Sequence, residues 1–70
     1  MSIFDRWKDA YEFGQAVGEE LEARNIGEED VEGEGIQEGI QYAADEQNVV
    51  ISTTLTNTIF QIGVRVGRRH

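Results

Sequence analysis

From Gln47 to Val64 the chain runs Q-N-V-V-I-S-T-T-L-T-N-T-I-F-Q-I-G-V without a charged side chain, in a sequence of which 29% is charged. A run of this kind has to be buried against something, so the remainder of the fold must supply its cover. Two periods fit it. Paired antiparallel about Thr56-Asn57, it places Val49 opposite Val64, Ile51 opposite Ile62, Thr53 opposite Phe60 and Leu55 opposite Thr58 on one face. The alternation F-Q-I-G-V-R-V from Phe60 to Val66 is a clear period-two signal. Yet Ile51, Leu55, Ile59, Ile62 and Val66 also recur at helical spacing. The density of Val, Ile and Thr between Val49 and Thr58 favours the pleated surface, and a loop from Leu55 to Thr58 with Asn57 left-handed avoids positive φ at Thr56.

Upstream, Ser2 is a suitable N-cap for a helix whose stripe is Ile3, Trp7, Tyr11, Gly14, Gly18 and Leu21. Asn25-Ile26-Gly27 supplies its stop. Gly14 and Gly18 each cost about 1 kcal/mol inside a helix, so they predict either a break near Gly14 or the close approach of another backbone. A second helical pattern is carried by Val31, Ile36, Ile40, Ala43 and Ala44; the glycines within it place the helix at about 35–46 and leave Glu28 to Glu34 as a frayed turn or loop. Asn48 is the natural left-handed residue after it. The predicted fold is therefore α+β: two helical segments, about 3–24 and 35–46, packed on a C-terminal β-hairpin at about 49–66. An all-α three-helix arrangement is the alternative. Residues 1–70 form one small domain, with 67–70 a basic tail.

The net charge of −8 is unevenly distributed. Met1 to Glu46 holds all 14 acids against Arg6, Lys8 and Arg24, a net −11, whereas Gln47 to His70 holds Arg65, Arg68 and Arg69 and no acid, a net +3. Such acidity disfavours a nucleic-acid partner, whose affinity comes from Lys and Arg on phosphates, and favours a basic protein surface. It also suits a high-salt host, in which acidic surfaces serve hydration. The absence of Cys excludes disulfides and thiolate metal sites and points to the cytoplasm. The mixed-charge start M-S-I-F-D-R-W-K-D has no apolar core of a secretory signal. A membrane span over Gln47 to Val64, with Arg65, Arg68 and Arg69 as its anchor, meets too many hydroxyl and amide side chains between Ser52 and Thr58.

No motif for phosphate, dinucleotide or zinc binding is present, and the single histidine, His70, has no nucleophile in a recognisable setting. The acids lie in polar runs with nothing to desolvate them, so no enzyme chemistry and no cofactor are expected. Laid on the calcium-loop pattern, Glu28 to Gly39 has oxygens at the first, third and fifth positions and Gly33 at the sixth, but Gly39 stands where a bidentate Glu is required, so no metal is expected. Glu28, Glu29, Asp30, Glu32, Glu34 and Glu38 are the densest acids and form the expected partner-binding patch; Arg65, Arg68 and Arg69 form a secondary basic site. Glycines at four-residue steps, Gly14 and Gly18, Gly35 and Gly39, Gly63 and Gly67, suit close backbone packing within the fold or between subunits. The hairpin edge, guarded only by Arg65, predicts a homo-oligomer.

The run I-Q-E-G-I-Q-Y-A-A-D-E, followed by V-V-I-S-T-T and Phe60, resembles the last helix and wing of winged-helix domains of the protein-binding kind. With Glu34, Glu38 and Gln41 on the face that would enter a DNA groove, the resemblance implies a protein partner. In charge order alone, the acidic head, uncharged middle and basic tail resemble the coat subunits of filamentous viruses. The expected function is that of a small non-enzymatic inhibitor or adaptor working through its acidic face, in the manner of the nucleic-acid mimics of phages. A structural subunit of an oligomeric or virion-like assembly and a winged-helix interaction module are the alternatives.

Overall fold

Four helices account for most of residues 3–69, the part described by the computed structural model: α1 (Ile3–Ala23), α2 (Glu28–Val31), α3 (Glu34–Glu46) and α4 (Thr54–Arg68). Ser2 and His70 lie outside the described residues, as does the side chain of Ile3.

The expected α+β fold is overturned: there is no strand among the described residues, and of the segment assigned to a β-hairpin, about 49–66, residues 49–53 form a connector and the rest lies within α4. The all-α alternative fits. Thr53 begins α4 with a capping box, its hydroxyl accepting from the Thr56 amide at 3.2 Å while its own amide donates to the Thr56 hydroxyl at 3.3 Å. Asn57, cast as the left-handed loop residue, lies within the helix and donates from Nδ2 to the Ile51 carbonyl at 3.1 Å. The wing implied by the winged-helix resemblance goes with the hairpin, and so does the strand edge through which an oligomer was expected to form. Replacing Thr53 with Ala should cost about 1 kcal/mol, read as a lower midpoint in urea denaturation followed by circular dichroism.

Helix wins because of what α4 packs against. Gly14 and Gly18 of α1 meet Gly63 and Gly67 of α4, and the two helices run parallel, with Gly14 beside Phe60 and Gly63 and Gly18 beside Val64 and Arg68. A methyl group at Gly63 would run into the Tyr11 carbonyl, and one at Gly67 into the Gln15 carbonyl. Only glycine permits this approach, and α1 accordingly stays unbroken through Gly14. Gly35 and Gly39, by contrast, face open space.

Above this pair α3 lays Ile40 and Ala44 onto a core formed by Ala10, Phe13, Leu21, Ile51, Phe60 and Val64. Phe13 and Phe60 stack with ring centroids 5.6 Å apart. Both long turns end alike. Asn25 (φ 61) and Asn48 (φ 57) are left-handed. The next residue then donates back five positions, Ile26 to the Leu21 carbonyl at 2.9 Å and Val49 to the Ala44 carbonyl at 2.8 Å. These are Schellman closures, each burying an apolar residue just past its helix. Among the described residues no helix is long and apolar enough to cross a membrane.

Candidate functional site

The six acids singled out in the sequence are brought together at one corner. Gly27, extended at φ −73 and ψ 162, starts α2, and its carbonyl accepts from Asp30 at 3.0 Å and Val31 at 3.2 Å. This turn carries Glu28, Glu29 and Asp30. Val31 is the one residue of the turn that packs on the core, and the Gln37 amide holds its carbonyl at 2.8 Å. Gly33 then caps α3, which carries Glu34 in its first turn and Glu38 one turn further on. The frayed segment expected here is thus a defined one-turn helix and a cap. Acids at the starts of α2 and α3 also meet the positive ends of the two helix dipoles.

Glu28, Glu29, Asp30, Glu32, Glu34 and Glu38 are all exposed, and none forms an ion pair among the described residues. The ion pairs present lie elsewhere: Lys8 with Glu12 at 3.9 Å, Arg24 with Glu20 at 2.7 Å, and Arg68 with Glu22 at 3.6 Å. The acidic corner is therefore a field of exposed carboxylates with no ion-pair partner among the described residues. No group of His, Cys, Asp or Glu among the described residues is arranged to hold a metal ion.

The three arginines of the secondary site are not brought together in one role. Arg65 and Arg69 are exposed. Arg68 is turned inward, its side chain 15% exposed, with Nη2 donating to the Ile26 carbonyl at 2.9 Å and Nη1 near Glu22. It fastens the end of α4 to the turn after α1. Arg65 and Arg68 also line one cleft with Glu28 and Glu32, so the basic end of α4 borders the acidic corner.

Sequence reasoning missed Tyr42. Its side chain is 68% exposed and lies on the outward face of α3 with Glu38 and Asp45, where Gln41 bonds Asp45 at 2.9 Å. Its signal was present: Tyr42 falls off the stripe of Ile36, Ile40 and Ala43 and so could only point outward. An exposed aromatic beside carboxylates is a ready anchor for a partner. Compared with known protein families, with curated proteins and with solved structures, the chain matches none of them.

Proposed function

We propose that this protein is a small non-enzymatic binding protein, an inhibitor or adaptor in the cytoplasm, whose acidic corner docks on a basic protein surface. The observation that supports the reading is the six exposed carboxylates of α2, α3 and the turn between them, which have no ion pair among the described residues. A cationic partner would supply the missing charges, and Tyr42 beside them would supply apolar area. A surface built this way attracts its partner over distance, so salt should act mainly on the association rate.

The test is capture from a host lysate by immobilised protein, followed by association kinetics with the captured protein in purified form. The expected partner is basic, and its association should slow as salt rises from about 0.05 to 0.5 M. Changing Glu29, Asp30 and Glu32 together to Gln, Asn and Gln should slow association about tenfold at low salt and flatten the salt dependence, with helicity retained. Unchanged kinetics in the triple variant would show that these acids serve solubility or hydration and that recognition lies elsewhere. A structural-subunit role draws on a different surface, the uncovered side of α1 and α4.

A further inference from the structure

A cleft of about 550 Å³ lies between α2 and α4, within the size range of small-ligand sites. Its walls carry opposite charges that do not pair with each other. Glu28 and Glu32 line it from α2 and its C-cap, Arg65 lines it from α4, and none of the three forms an ion pair among the described residues. Asn57 and Gln61 precede Arg65 on α4 at four-residue steps, so these side chains form one polar row along the cleft. Half-buried Val31 and buried Val64 give it an apolar lining.

The fold holds these walls in place. Val31 packs on the core, and Gln37 Nε2 donates to its carbonyl at 2.8 Å, which fixes α2. Asn57 Nδ2 donates to the Ile51 carbonyl at 3.1 Å and Arg68 Nη2 to the Ile26 carbonyl at 2.9 Å, which fix the two ends of α4. Arg68 also lines the cleft, but its contacts with Ile26 and Glu22 commit it to its own chain and leave Arg65 to meet a ligand. From Asn57 to Arg65 the polar row covers two turns, about 12 Å, which an extended chain of about three residues fills.

The charges select the ligand. A wholly anionic molecule is repelled by Glu28 and Glu32, and a wholly cationic one by Arg65 and Arg68. A molecule with a carboxylate at one end and an ammonium at the other satisfies both walls. Between those ends, the amides of Asn57 and Gln61 match the donors and acceptors of peptide groups, and Val31 and Val64 offer contact to an apolar side chain. We infer that this cleft binds a short peptide of about three residues by its free termini, the carboxylate on Arg65 and the ammonium on the carboxylates of Glu28 and Glu32. This holds whether or not the acidic corner also docks a protein, because it needs α4 as much as α2.

The test is titration of the full chain, labelled with nitrogen-15, by the tripeptide Gly-Leu-Gly at pH 7 and low salt. Amide shifts should saturate with a Kd at or below about 1 mM and centre on the residues of the cleft. The N-acetylated tripeptide and the tripeptide amide should each bind about tenfold more weakly, since each loses one charged end. Free leucine, too short to reach both walls, should weaken by about as much. Arg65→Gln should abolish the preference for a free C-terminus, and Glu28→Gln with Glu32→Gln the preference for a free N-terminus. All three side chains are exposed, so both variants should keep the parent circular dichroism. The inference is overturned if no saturable shift is seen up to about 10 mM tripeptide, if the blocked peptides or leucine bind as tightly as the parent tripeptide, or if either variant retains its terminal preference.

Discussion

A Gly63→Val chain should not fold to the native state at 25 °C. The first added carbon at Gly63 meets the Tyr11 carbonyl, and Gln15 N and Gly14 Cα follow at 3.1 Å each. All of these are backbone atoms of α1, which cannot swing aside as a side chain can. Overpacking a close-fitted core costs about 1 to 3 kcal/mol even where neighbours adjust, well above the few tenths of a kcal/mol, roughly, of helix propensity that valine gains over glycine. A chain of this size has about 3 to 5 kcal/mol of stability from its core to spend. The expected readout is loss of the cooperative thermal transition in circular dichroism. The control is Gly35→Ala with Gly39→Ala, where the added methyl groups meet nothing within 4 Å. That double variant should be more stable than the parent, by about 1 kcal/mol per site, since alanine favours the helix. Opposite signs for chemically similar changes would separate close packing from mere helix propensity; a Gly63→Val chain that melts like the parent would remove the glycine contact from the account of the fold.

Phe60→Ala should be nearly as damaging. Phe60 is 3% exposed, stacks on Phe13 and lies where α1, α3 and the connector residue Ile51 converge. Truncating a buried phenylalanine costs about 3 to 5 kcal/mol, partly transfer and partly the cavity left behind. That matches the whole stability expected of the domain. Urea titration should find the variant largely unfolded before denaturant is added. Ile62→Asp provides the contrast. A hairpin would bury Ile62 beside Phe60 on one face, so that an aspartate there would unfold the chain; in α4 the two residues point apart and Ile62 is 48% exposed. The pair of variants therefore tests helix against hairpin without a spectrum of either.

Much of the acidic corner was legible in the sequence, because charge density is local and exposed acids need no partner to stay at the surface. Its shape was not. Whether Glu28 to Val31 coils into a turn depends on Val31 finding the core and on Gln37 reaching its carbonyl, and both are tertiary events. The basic site was read as three equivalent arginines; the partner that sets Arg68 apart, the Ile26 carbonyl, is 42 residues away in sequence.

The sequence by itself determined where α1 and α3 end, while Phe13, buried in the core, lay off the stripe read for α1. Asn25 and Asn48 adopt positive φ at little cost, each followed by an apolar residue to bury, and that information sits within a few residues of each turn. It also determined the partition of charge. What only the tertiary structure decided is the conformation of the uncharged run from Gln47 onward, since its apolar residues satisfy both a period of two and a helical period, and its β-branched content tilts the local preference toward strand by no more than about 1 kcal/mol. The balance was tipped by Gly63 and Gly67 arriving at the same four-residue step as Gly14 and Gly18, so that two helices could touch along their backbones. A match between positions 49 residues apart exerts no force on an isolated segment; it acts only once the chain has brought α1 and α4 side by side.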